Sequence, residues 1–583
     1  MKNKKNHQIL SGGQVVVESL KINGVKNVFG LIGSATMELF DSLYDTNQIK
    51  FIGVRDERTG THMADGYARA SGQPGIIIAG QNGPGATNLV TGVAQAAAAY
   101  SPVISIAGAA SSKPDFYNKF NKKNFLNEFQ EVDQYSLFKP ITKRVITVDD
   151  IAGIPTIFRH CFEVAMSTRC GPVHINLPRN ILSNTEKLKN IKMSKPYRVS
   201  KVMAGIFNPV SIKDIYKACN ILNNAERPVI ILGWGIKNTG KYDDVVKLAD
   251  KLNAPIVTSA GHGDAIPFNN ILNAGQMGPR GNPIASELTK EADVILALGT
   301  RLGFNSTFYS NDFINKDAKI IQVELLQKYI GKYFPVALGI CADANAVTKK
   351  LIPYIKIKKR KEIKKWFQQF RNKHTSYLKE RETKALFLKK NKLIQPASLF
   401  KELRDVLPSN AAITLDAGTL CLQATDALNY FEPKTLFTPL DFGLVGFSFA
   451  CGLGVKVARP DRPVISLIGD GGFGMTISEL STAIYHNINT IIVVMNNHSW
   501  GAEKAYQRDF FKKRYIGSEI HNPPFHEVAK LYGAKGFHVK KISQIKNAMK
   551  KALKSSKPVV INVEVDPEAL YSFRRDSFKH RSG

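Results

Sequence analysis

A chain of 583 residues, 44% apolar and 22% charged, has the composition of a folded globular protein of about three or four domains, which excludes disordered and fibrous classes. Lys and Arg number 80 against 48 Asp and Glu, and the net charge of +32 raises nucleic acid or an anionic surface as a partner. The Lys residues are dispersed, however, and form no stripe with aromatic side chains, so neither a nucleic-acid partner nor a membrane is expected.

Taken in chain order, residues 1–10 are basic with no apolar segment after them, and no signal peptide is expected. Apolar runs at 75–79 and 103–107 read as strands. The long apolar stretch 92–110 approaches a membrane span in length. Gln95, Tyr100, Ser101 and Pro102 interrupt it, and a buried helix turning into a buried strand fits it better. A basic, weakly patterned segment at 188–201 marks a boundary. Further strand runs follow at 228–232, 294–298 and 319–323. Residues 349–392 then read as a charged helical linker with Trp366 and Phe370 as packing anchors. The densest Lys run, 356–365, falls there and is explained by a solvated helix face. The last strand runs are 463–468, 490–495 and 559–563. Continuous Val/Ile/Leu runs alternating with helical stretches imply parallel strands buried on both faces. The predicted fold is α/β, with three doubly wound parallel-sheet domains at 1–190, 200–350 and 391–583, and a linker at 351–390. Whether the first and third share a topology stays open. Six cysteines without a C-x-x-C pair argue against zinc ribbons and redox dithiols, and fit a reducing, cytoplasmic setting.

The strongest chemical signal is in the third block. The strand at 463–468 runs into Gly469-Asp470-Gly471-Gly472-Phe473-Gly474, with a helical stretch expected from Thr476. Glycines at such a turn let backbone N–H groups approach an anion, and a helix N-terminus favours negative charge. The next strand ends in Asn496-Asn497, and Asp470 and Asn497 are 27 residues apart. One strand–helix–strand unit brings two such strand ends side by side. A carboxylate, an amide oxygen and a backbone carbonyl are hard ligands suited to Mg2+ with phosphates completing its shell.

This pattern resembles the signature of thiamine-diphosphate enzymes, and the likeness covers nearly the whole chain. It implies a metal held by Asp470, Asn497 and the carbonyl of Ser499. Gly469, Gly471, Gly472, Trp500 and Gly501 would lie at the cofactor. DERTGTHMADGYARASG (from Asp56) and QNGPGATN (from Gln81) resemble the pyrimidine-binding motifs of acetolactate synthases and their relatives. They imply Glu57 as the catalytic carboxylate beside the pyrimidine, with Gly83, Pro84, Gly85 and Asn88 around the cofactor. Such a carboxylate must be buried, and burial raises its pKa toward a working range. Phe129-Gln130-Glu131 also matches, and implies that Gln130 orients the bound substrate. In FGLVGFSF, from Phe442, Val445 is the candidate to support the bent cofactor, with Gly443 beside it. In this family the carboxylate and the metal site come from different subunits, which implies a homodimer or homotetramer.

Within the family, the run Trp500-Gly-Ala-Glu503-Lys504 and the later Arg514-Tyr515 and Phe573-Arg574-Arg575-Asp576 resemble the sulfoacetaldehyde acetyltransferases. That implies conversion of sulfoacetaldehyde and phosphate to acetyl phosphate and sulfite. Lys504, Arg514, Arg574 and Arg575 are then candidates to bind the two anionic substrates. Residues 111–127 do not match. The alternatives are acetolactate synthase, which condenses two pyruvates, and a 2-oxo acid decarboxylase or lyase. Some acetolactate synthases hold FAD in the central domain; Trp234 between Gly233 and Gly235 argues mildly against it and leaves FAD open.

Overall fold

The computed structural model describes residues 8–110, 129–198, 210–356 and 361–570. Residues 111–127, Arg574 and Arg575 lie outside them. Three six-stranded sheets, each wholly parallel, carry the fold. The first is built from Asn27–Leu31, Lys50–Gly53, Gly75–Ala79, Val103–Ala109, Arg144–Thr147 and Val173–Pro178. The third is built from Ala412–Leu415, Leu436–Phe437, Val464–Gly469, Ile491–Asn496, Lys535–Val539 and Val559–Glu564. With strands counted in chain order, both have the order 2-1-3-4-6-5, so the two outer sheets share one topology. The central sheet, which starts at Pro228–Leu232, has the order 3-2-1-4-5-6 of the dinucleotide-binding type.

The runs that the sequence singles out are all interior strands. Gly75–Ala79, Pro228–Leu232 and Val294–Leu298 are buried at every position. Edge strands such as Lys50–Gly53, Arg144–Thr147 and Leu338–Cys341 are short and partly exposed, so they lack that pattern. The apolar stretch at 92–110 is the end of helix Pro84–Ala98 followed by strand Val103–Ala109. Helix Lys361–Leu388 runs for 28 residues in the charged segment, and Trp366 and Phe370 pack into the core formed with Val229, Ile231 and Ile295. Among the described residues, no helix is long and apolar enough to cross a membrane.

The chain forms two compact units. One is Met1–Ala204 together with Ala450–Pro460 and Ser478–Ile488; the other is Gly205–Phe449, Asp461–Ile477 and Asn489–Gly583. Two pieces of the C-terminal third thus belong to the first unit. There the Gly454 backbone meets the Met63 carbonyl directly, with no side chain between. Glu479, fully buried, accepts hydrogen bonds from the Thr59 hydroxyl, from the Arg55 amide at 3.1 Å and from Thr482 Oγ1 at 2.6 Å.

His174, on strand Val173–Pro178, is fully buried and stacks on Phe138 with ring centroids 3.6 Å apart. Its Nε2 lies 2.9 Å from Asn176 Oδ1, an acceptor, so the proton sits on Nε2; Nδ1 then accepts from Ser105 Oγ at 2.9 Å. Burial holds its pKa down to about 3, although the Asn176 hydrogen bond pulls the other way. In the unfolded chain a histidine titrates near 6.5. Between these values the unfolded state binds the proton and the folded state does not. Stability is therefore complete above pH 6.5 and falls as pH drops below it, by up to about 1.4 kcal/mol per pH unit for this residue. Denaturant unfolding at pH 7.0, 6.0 and 5.0 should show a shallower acid loss for His174→Gln than for the wild type.

Candidate active site

In the third sheet, strands 1, 3 and 4 lie side by side, and the chain reverses its winding direction between strands 1 and 3. Crevices at the carboxyl ends of strands at such a point are where doubly wound folds take ligands. The strands here end in Asp416, Asp470 and Asn497 respectively. A cavity of about 160 Å³ opens above them. Its lining includes Gly443, Val445, Gly469, Asp470, Gly471, Gly472, Asn497, Ser499, Trp500 and Gly501, so the expected diphosphate-side residues converge. The helix begins at Asp470, earlier than the Thr476 start expected, and runs only to Gly474. Asp470 in its first turn is favoured there by the helix dipole. Glu479–Tyr485 resumes after a break.

The Asn497 amide reaches to 3.2 Å from Asp470 Oδ1 and 3.1 Å from the Ser499 carbonyl oxygen. Turned one way, its nitrogen donates to both. Turned the other way, its oxygen faces both at close to the edge length of a Mg2+ octahedron, about 3 Å for Mg–O bonds of about 2.0–2.1 Å. All three residues are buried. Asn522 Nδ2 donates to Asp470 Oδ2 at 2.7 Å, which leaves Oδ1 directed at Asn497. Burial raises the Asp470 pKa, and the Asn522 bond opposes the shift. Asn522 was not visible in the sequence reading, because it lies in a loop far from either motif.

Asp416 was also missed, although a lone Asp after the apolar run AITL is a readable strand-end signal. Buried at the end of that strand, it accepts from the amides of Gly446 at 3.0 Å, Phe447 at 3.1 Å and Ala417 at 3.0 Å. It thereby fixes the backbone just after Val445. A Cβ on Gly472 would sit 2.2 Å from Asp416 Oδ2. Gly472→Ala should displace the carboxylate from its three donors and lower stability by about 1–3 kcal/mol, read as a lower denaturation midpoint.

The first unit carries the other expected group. Asp56 caps helix Glu57–Ser71, accepting from the Arg58 amide at 2.7 Å, and Glu57 opens the helix at 4% exposure. Burial raises the Glu57 pKa; the hydrogen bond from Asn88 Nδ2, 3.1 Å from Oε2, pulls it back. A Cβ on Gly85 would sit 3.0 Å from Glu57 Oε1, so the glycine leaves that oxygen room. Pro84 begins helix Pro84–Ala98, and Gly83 before it lies against the Gln130 carbonyl. Asn82 Nδ2 donates to that carbonyl at 3.1 Å. Glu57, Gly83, Pro84, Gly85, Asn88 and Gln130 are therefore one cluster.

The expected cations fare differently. Lys504 is buried, 3.3 Å from Glu519 Oε1 and over the Tyr515 ring at 5.3 Å, and does not line the cavity. Arg514 is exposed and does not line it either. A cation that sequence reasoning missed, Arg280 of the central domain, does.

The chain thus has a crevice lined by glycines, Asp470 and Asn497 at one doubly wound sheet and a buried carboxylate, Glu57, at a second sheet of like topology. The matches to known families agree. The N-terminal TPP binding domain of thiamine pyrophosphate enzymes matches residues 10–137, the central domain 215–351 and the C-terminal TPP binding domain 416–563. The chain belongs to the thiamine pyrophosphate enzymes. It is 32% identical over 592 residues to sulfoacetaldehyde acetyltransferase of Castellaniella defragrans, with 98% of this chain and 96% of that protein covered. It is also 32% identical over 595 residues to the enzyme of the same name from Alcaligenes xylosoxydans xylosoxydans, with 97% and 95% covered. A probable acetolactate synthase large subunit of Methanococcus aeolicus is 31% identical over 577 residues, with 97% and 93% covered.

Proposed function

We propose that the protein converts sulfoacetaldehyde and phosphate to acetyl phosphate and sulfite, using thiamine diphosphate and Mg2+. The observation that carries the cofactor reading is the approach of the Asn497 amide to Asp470 Oδ1 and to the Ser499 carbonyl oxygen in a buried crevice. The substrate reading rests on end-to-end similarity to relatives named for that activity. Thiamine diphosphate, when bound, supplies a nucleophilic carbon. Asp470, Asn497 and the Ser499 carbonyl would hold the Mg2+ that carries its diphosphate, with Gly471 and Gly472 lining the same cavity. Val445, kept in place by the Asp416 hydrogen bonds that follow it, lines the cavity and would support the cofactor. Glu57 holds and returns a proton at the pyrimidine nitrogen. Its raised pKa keeps the protonated form available, and Asn88 fixes the carboxyl's direction. Gln130 orients the substrate. The burial of Lys504 against Glu519 supports a role in shaping the wall around Tyr515 more than direct contact with substrate.

The complete site forms between two copies of the chain, in a homodimer or homotetramer, within the cytoplasm. The small number of cysteines, six in 583 residues with no C-x-x-C pair, supports a reducing compartment. In the central domain the Gly233 and Gly235 amides donate to the Leu298 and Gly299 carbonyls, both at 3.1 Å. Two N–H groups at the start of helix Trp234–Thr239 are therefore engaged within the fold, which supports a reading without FAD. The second reading is acetolactate synthase, favoured by the similarity to the Methanococcus aeolicus protein.

Purified protein with thiamine diphosphate, Mg2+ and phosphate should release sulfite from sulfoacetaldehyde. Acetolactate formed from pyruvate, with no sulfite release, would select the second reading. Glu57→Gln should lower turnover at least about a hundredfold while thiamine diphosphate still binds, as followed by quenching of intrinsic fluorescence. Asn522→Ala should weaken Mg2+ about ten- to a hundredfold, because Asp470 loses the partner that orients it; a Mg2+ titration of cofactor binding measures this.

A further inference from the structure

The cavity at the third sheet is lined by four residues of formal charge: Asp416, Asp470, Glu503 and Arg280. Three are acidic. Asp416 is answered by three backbone amides, and in the reading above Asp470 is answered by Mg2+. A sulfonate is ionised at every working pH, and an anion entering a partly buried space lined by carboxylates needs a cation to meet it. Among the described residues that line the cavity, Arg280 alone is cationic. The cations that the sequence offered lie elsewhere or outside the described residues.

Arg280 is held by its surroundings. It sits on a tight turn, closed by the Gly281 amide donating to the Gly278 carbonyl at 2.9 Å. Gly278 has φ +99, and a Cβ there would meet the Asn305 and Ser306 carbonyl oxygens at 2.8 and 3.0 Å, so only glycine fits. Just beyond the turn, the Asn282 amide donates to the Gln276 carbonyl at 2.6 Å, and the Asn282 side chain caps helix Pro283–Glu291. Arg280 Nη1 donates to Asn305 Oδ1 at 3.2 Å, while Asn305 Nδ2 donates to the carbonyl of Leu440, itself a lining residue. The guanidinium is thus oriented through the cavity wall. Its planar fork of five donors matches the geometry of a sulfonate.

We propose that Arg280, on this turn of the central domain, is the specificity residue that receives the sulfonate of the donor substrate. The proposal rests on the acetyl-transfer reading above.

Wild type, Arg280→Ala and Arg280→Lys, each loaded with thiamine diphosphate and Mg2+, are assayed for sulfite release at varied sulfoacetaldehyde and varied phosphate. Arg280→Ala should raise KM for sulfoacetaldehyde at least about tenfold and leave KM for phosphate within about twofold, with partial recovery in Arg280→Lys. In parallel, 2-hydroxyethanesulfonate, an inert probe, is titrated calorimetrically into each holoprotein, and its affinity should fall by a similar factor in Arg280→Ala. Unchanged sulfoacetaldehyde KM and probe affinity would overturn the role of Arg280, as would a rise confined to the phosphate KM. If the wild type releases no sulfite, the reaction assignment fails on its own. The probe then still decides the residue: binding lost in Arg280→Ala upholds the anion site, and equal binding, or none to the wild type, removes it.

Discussion

In one buried corner the Asp470 carboxylate and the Ser499 carbonyl both face the Asn497 amide, at 3.2 and 3.1 Å, and two such acceptors need a donor or a cation between them. That constraint at Asp470, Asn497 and Ser499 organises much of the second unit. Parallel strands deliver the residues to one edge, because neighbours in the sheet are separated in sequence by a whole helix yet end at the same level. Asn522 turns the Asp470 carboxylate so that one oxygen faces inward. Asp416, one strand over, gathers the amides that follow Val445. Both strand-end carboxylates, Asp416 and Asp470, are placed where backbone or amide N–H groups can answer them.

In the first unit Glu57 sits where water is scarce and receives a side-chain hydrogen bond from Asn88; burial raises its pKa and that bond opposes the rise. The same topology, 2-1-3-4-6-5, thus carries two carboxylate environments. Burial raises the pKa of both Asp470 and Glu57, and in each a side-chain amide, Asn522 or Asn88, opposes the shift.

The chemistry-bearing glycines, Asp470, Asn497 and Glu57 were legible in the sequence because turns at strand ends use few residue types and leave fixed spacings. Interior strands were legible because burial on both faces removes polar alternation, as in Pro228–Leu232. Edge strands and the first strands of the outer sheets were less so: Asn27–Leu31 contains glycine and a polar start, and Leu436–Phe437 is two residues long. The shared topology of the outer sheets could not be read at all, because pairing order is a long-range property. The cations were the weakest part. Lys504 and Arg514 stood close in sequence to the metal motif, but helix Gly501–Phe510 turns Lys504 toward Glu519 instead. Arg280 carries no local signal except the glycines that bend its turn, and it belongs to a different sheet.

The first unit includes Ala450–Pro460 and Ser478–Ile488, so its packing spans more than four hundred positions of sequence, as in the bond between the Gly53 amide and His486. A chain made from its N-terminus has no access to those contacts until residue 488 has left the ribosome. At synthesis rates of roughly 5–20 residues per second, the interval after residue 204 is roughly 15–60 s. During that time the faces of helix Glu57–Ser71 that later meet Gly454 and Glu479 stay uncovered. Fusions or truncations that end the chain near the helical linker would make that exposure permanent. An expression boundary chosen from the three-block pattern would therefore yield an aggregation-prone fragment, and not a self-contained domain.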